Sequence, residues 1–183
     1  MEAILAGDAA ATAWFVQQYA PRVQRLLLRL LGPRQDVEDL VQTTFLETLR
    51  SLPRFEGRSE LGTFVLGVAV QVARRAMRPR KLDRHRVDLE AVPEPAVADG
   101  LDDGVSRSEA LRRVRRWLEE VAEPKRIAFM LWALDGMEPT QVAEVMGAGL
   151  SATRSRIFYA QKELKLRAAR DPYLREWLGE PRR

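Results

Sequence analysis

At 183 residues the chain has room for one or two domains with small cores, and 30 Lys and Arg against 26 Asp and Glu leave a net charge of +4. It contains no cysteine, which excludes a disulfide framework, a thiolate metal site and a thiol redox switch. No apolar run approaches about 18 residues and the N-terminus lacks a basic-then-apolar signal pattern, so a soluble cytoplasmic protein without membrane insertion is expected.

The charge is unevenly spread. Residues 1–86 carry 14 cationic against 9 acidic side chains, residues 107–183 carry 16 against 11, and Val87–Ser106 carries none against 6. Two basic blocks are thus joined by a wholly acidic segment. No sustained period-2 alternation marks a strand, while Leu, Ala, Arg and Glu abound, so the expected fold class is all-α.

In chain order, Asp8 is the expected cap of a first helical piece bearing Trp14, Phe15, Val16 and Tyr19. Pro21 clashes inside a helix and is expected to open a second piece, whose Val23, Leu26, Leu27, Leu30 and Leu31 form a core face. Gly32-Pro33 is a stop signal. The next helix runs from Asp36 to Leu52, with Asp36 as N-cap and Glu38 and Asp39 in the first turn, where the helix dipole favours anions. Its inward stripe is Val37, Leu40, Val41, Phe45 and Leu49; Asp39, Gln42, Thr43 and Glu47 fall mainly on other faces. Such an acidic front serves as ordinary capping or as a docking surface for a basic partner.

After a turn framed by Pro53 and Gly57, a long helix begins near Ser59 or Glu60, with Leu61, Phe64, Val65, Val68, Ala69, Val72 and Ala76 inward. Its end is basic: Arg74, Arg75, Arg78, Arg80, Lys81, Arg84 and Arg86. The last of these suit a solvated helix end. Gln71, Arg74, Arg75 and Arg78 share a flank that could track a nucleic-acid backbone. Lone His85 lies among these charges, where a solvated role is expected. Val87–Ser106, with two prolines, two glycines and six acids, reads as a linker, either a plain tether or a strand suited to a positively charged channel.

Helix resumes at Ser106 or Ser108, with Leu111, Val114, Leu118 and Val121 inward and Arg112, Arg113, Arg115 and Arg116 around them. Pro124 starts another, burying Ile127, Met130, Leu131 and Leu134. Then comes DGMEPTQVAEVMGAGLSATRSRIFYAQKEL, Asp135–Leu164. Pro139 suits a first helical turn, and Gly147-Ala148-Gly149 ends the short helix that Val142, Ala143 and Met146 make apolar. In the following helix Leu150, Thr153, Ile157, Ala160 and Leu164 form the inward stripe. Arg154, Ser155, Arg156, Phe158 and Tyr159 face out. No acid lies between Gly147 and Lys162. The pattern fits a helix-turn-helix whose second helix enters the DNA major groove, against an ordinary helical hairpin with a solvated basic face. Four helices are expected in this C-terminal domain, with Tyr173, Leu174, Trp177 and Leu178 in a short tail helix.

Two stretches, DVEDLVQTTFLETLRSLPRFEGRSELGTF with its basic helix and EPTQVAEVMGAGLSATRSRIFYAQKEL, resemble in order the two domains of the extracytoplasmic-function (ECF) sigma factors, small sigma-70-superfamily subunits of bacterial RNA polymerase. The resemblance covers roughly Leu5–Lys81 and Glu109–Leu166. It implies a region 2-like domain over 1–86, the linker over 87–106 and a region 4-like domain over 107–183. The first would dock on core RNA polymerase through Asp36, Asp39, Gln42 and Phe45. Its following helix would capture and melt the −10 element through Phe64, Gln71, Arg74, Arg75 and Arg78. The second would read the −35 element through Ser151, Ala152, Arg154, Ser155 and Arg156. The linker would thread the polymerase's RNA-exit path, and an anti-sigma factor is an expected partner beside promoter DNA.

Some positions depart from the family pattern. Gly62 and Phe64 stand where many members carry Arg and Trp, Gly67 and Val70 where cations are frequent, Ala152 where Thr is common and Phe158 where His or Arg recurs. Fewer cations imply fewer phosphate contacts during melting, whereas Ala152 suits a thymine methyl. Two alternatives follow: a sigma-like decoy that binds an anti-sigma factor, and a stand-alone helix-turn-helix regulator, which would need a dimerisation surface. No catalytic residue, metal or cofactor is assigned, since nothing in the chain assembles an enzyme site.

Overall fold

A computed structural model of the chain describes residues 1–78, 113–114 and 116–171. The acidic segment 87–106, His85, the basic residues at 80–86 and the aromatic tail fall outside them. All regular elements among the described residues are helical. They are α1 (Glu2–Leu5), α2 (Ala9–Leu31), α3 (Val37–Ser51) with a 3-10 turn at Leu52–Arg54, α4 (Leu61–Met77), α5 (Glu123–Ala133), α6 (Pro139–Met146) and α7 (Leu150–Arg170). Residues 113–114 and 116–120 are also helical.

Contacts divide the chain into two units, Met1–Asp88 with Met137–Leu150, and Leu89–Gly136 with Ser151–Arg183. In the first, α2, α3 and α4 pack on one another and α6 packs on α4. Asp8 starts α2 by accepting hydrogen bonds from the amides of Ala10 at 2.8 Å and Ala11 at 3.1 Å. The break expected at Pro21 does not occur, because α2 runs unbroken through it. Pro21 is exposed, so the bond its missing N–H forfeits lies on the wet side of the helix. Phe15 before it and Val23, Leu26, Leu27 and Leu30 after it all enter the same core, and that shared burial keeps the halves collinear.

Beneath α2, the Phe15 ring meets Tyr19 at 5.1 Å between centroids and the edge of Phe45 at 5.9 Å. Thr44 and Thr48 of α3 are buried too, and each hydroxyl donates back to a carbonyl one turn earlier, Leu40 O at 2.8 Å and Thr44 O at 2.7 Å. Such back-bonding removes the cost of burying an unpaired hydroxyl.

Helix α4 is buried more widely than one inward stripe allows. Besides Val65, Ala69 and Val72, its Leu66, Val70 and Ala73 are buried, because α6 covers a second side. Gly67 makes that approach possible: a Cβ there would lie 3.3 Å from the carbonyl oxygen of Val145. Gly67→Ile is therefore expected to lower stability by about 1–2 kcal/mol, overpacking outweighing a helix-propensity gain of about 0.5 kcal/mol. A lower urea midpoint at unchanged slope would register it; an unmoved midpoint would contradict this close approach.

In the second unit, Leu118, Val121, Ile127, Ala128, Met130 and Leu131 are buried together with Thr153, Ile157 and Ala160 of α7. Ion pairs rim this core: Lys125 Nζ to Glu163 Oε1 at 2.5 Å, Arg113 Nη1 to Asp171 Oδ2 at 2.8 Å, and Arg167 to Glu120. Partly exposed, they register helix against helix more than they stabilise.

Candidate nucleic-acid interface

Helix α6 opens with a capping box in which Glu138 caps the N3 amide and the Gln141 side chain accepts from the Glu138 amide at 3.1 Å. It closes on Gly147, left-handed at φ 59° and ψ 42°, and the Ala148 amide then donates to Ala143 O at 2.9 Å. A left-handed residue at this position favours glycine because it has no Cβ to clash. Three residues, 147–149, separate α6 from α7, as the helix-turn-helix order requires.

The expected inward stripe of α7 is buried at Thr153, Ile157 and Ala160, with Leu150 and Leu164 half-buried at either side. Ser151, Ala152, Arg154, Ser155, Phe158 and Tyr159 are exposed and Arg156 is half-buried. All five candidate base-reading residues, Ser151, Ala152, Arg154, Ser155 and Arg156, therefore lie in the first two turns of one helix. An arginine there can donate a two-pronged contact to guanine, and a serine hydroxyl can bond either base type. Phe158 and Tyr159 meet edge to face at 5.5 Å, and Lys125 sits 5.7 Å over the Tyr159 ring, so Tyr159 is engaged by the unit's own cation.

On α3, Asp39 and Gln42 are exposed while Phe45 is 5% exposed and packs inward on Phe15. Asp36 sits at the N-cap but makes no side-chain cap bond; its carboxylate is taken by Arg34, whose Nη2 donates to Oδ2 at 2.6 Å. The surface that α3 can offer a partner is thus Asp39 with Gln42, and Phe45 supports it from beneath.

On α4, Gln71, Arg75 and Arg78 are exposed and Arg74 is half-buried. Phe64, half-buried, meets Phe55 at 4.7 Å between centroids with the rings tilted by 38°. Sequence reading did not single out Phe55, although an aromatic nine residues before Phe64 across a turn was a signal. Nor did it pair Glu47, read only as an outward residue of α3, with Arg75, whose Nη2 donates to both its carboxylate oxygens at 2.5 Å. The departures at Gly67 and Val70 have a packing cause: α6 lies against Gly67 and Val70 is fully buried. Gly62 leaves room for Tyr19, whose Cε1 would be 3.2 Å from an added Cβ. Among the described residues no cluster of three His, Asp or Glu could hold a metal, and no helix is long and apolar enough to cross a membrane.

The all-α chain thus carries a basic helix flank in one unit and an acid-free arginine face on a helix-turn-helix, and Sigma-70 region 2 matches residues 15–82. The chain is 30% identical over 172 residues to the ECF RNA polymerase sigma-E factor of Salmonella typhimurium, covering 90% of each. Its fold is similar to that of CnrH in complex with the cytosolic domain of CnrY, at TM-score 0.66 and 20% identity, covering 92% of this chain and 94% of that one. It is similar too to the sigma factor RpoE in complex with the anti-sigma factor NepR from Bartonella quintana, at TM-score 0.63 and 22% identity, covering 93% and 98%. The chain belongs to the ECF sigma factors of bacterial RNA polymerase. It is a sigma factor that binds core RNA polymerase and promoter DNA and directs transcription initiation.

Proposed function

We propose that the chain does this work through three surfaces. Asp39 and Gln42, flanked by Asp36 and held up by Phe45, dock α3 on a basic surface of core polymerase. Phe64, Gln71, Arg74, Arg75 and Arg78 of α4 engage the −10 element: the arginines meet the backbone, and Phe64 offers an apolar face to a base turned out of the stack. Ser151, Ala152, Arg154, Ser155 and Arg156 of α7 read the −35 element in the major groove. Residues 1–86 and 107–183 act as the two DNA-reading domains, and the polyanion 87–106 occupies a basic channel of the polymerase. The protein works in the cytoplasm as a specificity subunit and has no catalytic step of its own. An anti-sigma factor, the class of partner seen with the Bartonella relative, holds it in check.

The observation that carries this reading is the acid-free face of α7 with Arg154 and Ser155 exposed. The test is transcription by core polymerase supplied with this chain and a promoter pool, which should yield a defined set of transcripts. Arg156→Ala should weaken binding of the enriched promoters by about 1–3 kcal/mol and relax preference at one upstream position. An unchanged footprint and unchanged preference would remove Arg156 from base reading.

A further inference from the structure

Arg75 and Glu47 are 28 residues apart in the chain and meet where α3 packs on α4. One guanidinium nitrogen, Nη2, donates to both carboxylate oxygens at 2.5 Å. Neither side chain is sealed from water: Arg75 is 53% exposed and Glu47 35%. The pair lies on the flank of α4 that carries exposed Gln71 one turn earlier and exposed Arg78 one turn later. A guanidinium keeps its charge at any physiological pH, and carboxylate and phosphate oxygens offer it the same acceptor geometry. The two partners are thus interchangeable for Arg75, and a half-exposed ion pair is weak enough to exchange.

We infer that Glu47 is an internal stand-in for a DNA phosphate, occupying Arg75 until a correctly placed backbone phosphate of the promoter displaces it. This rests on the proposed contact between α4 and the −10 element and adds a residue from the neighbouring helix to it. The consequence is selectivity. Non-specific binding grows with each cation free to neutralise a phosphate. An arginine already neutralised contributes only where the strand is held in the place that lets phosphate replace carboxylate. Glu47 is therefore a positioning residue for promoter capture: it withholds one cation from arbitrary DNA.

The holoenzyme assembled from core polymerase and this chain tests the inference by fluorescence anisotropy. The probes are labelled single strands carrying either the −10 sequence of an enriched promoter or a scrambled one, titrated over a salt series. Glu47→Gln keeps size and an acceptor oxygen but removes the charge. It should tighten binding of the scrambled strand about two- to fivefold, the span of an exposed ion pair. It should also steepen the dependence of log affinity on log salt by about 0.7, one single-strand phosphate. In an Arg75→Gln background the same change should do neither.

An unchanged salt slope for Glu47→Gln overturns the inference, and so does tightening that persists without Arg75, since either means Glu47 does not act through that guanidinium. Arg75→Gln separates the two readings. If it weakens binding while Glu47→Gln is silent, the −10 contact stands and only the exchange fails. If it leaves every strand bound as before, the contact itself fails and takes the inference with it. A purely structural ion pair would lower thermal stability in both variants without moving the slope.

Discussion

Asp39→Arg is expected to abolish co-purification with core RNA polymerase. Asp39 is exposed in the first turn of α3, and its side chain has no role in the core beneath. Reversing it forfeits a favourable helix-dipole interaction of about 0.3–1 kcal/mol, too little to unfold the unit. Against a basic docking surface the new cation meets like charge, and such juxtaposition costs several kcal/mol. At about 3 kcal/mol the affinity falls roughly a hundredfold. Co-purification with core polymerase, backed by a circular dichroism spectrum matching the parent, checks the result. Wild-type retention of the polymerase by the folded variant would mean that α3 docks elsewhere.

Phe15→Ala should be among the most destabilising single changes in the first unit. The ring is fully buried, and it touches both Tyr19 and Phe45, so its loss empties the space between α2 and α3. Truncating a core phenylalanine typically costs about 3–5 kcal/mol. For a domain stable by about 5–15 kcal/mol, that is a large share of its margin lost in one step. Trp14→Ala next to it is the control: that larger side chain is 63% exposed, and its removal should stay within about 0.5 kcal/mol. Urea denaturation of the two variants should separate their midpoints widely. Similar midpoints would mean that α2 does not turn Phe15 inward and Trp14 outward.

The contrast between adjacent residues shows what the sequence discloses. Helix periodicity located Leu26, Leu27, Leu30, Val65, Ala69, Ile127 and Ala160 in the interior, because a single amphipathic face leaves a period-3.6 trace, but it grouped Phe15 with Trp14 and did not tell the buried ring from the exposed one. It failed where a helix has two buried sides. Gly67 and Val70 looked like sites stripped of cations, when Gly67 lies against α6, a segment more than seventy residues later that no local pattern links to α4, and Val70 is buried. Pro21 looked like a boundary because the rule against proline inside a helix is local, whereas the burial on both sides of it is tertiary. The outward face of α7 was legible, since outward positions need only one helix to be defined. The Glu47–Arg75 pair was not, because an ion pair between distant helices depends on how they pack. Asp36 illustrates a smaller miss: a residue suited to capping was drawn instead to Arg34 two positions earlier.

The unbroken course of α2 through Pro21 bears on how the first unit comes apart. Because one rod carries Phe15 near its start and Leu30 near its end, the leading turns cannot peel away while the rest holds without dragging an aromatic anchor out of its socket. Amide protons on both sides of the proline should then be released to solvent in a single concerted opening, with the outer-face gap at Pro21 acting as a flexure rather than a hinge.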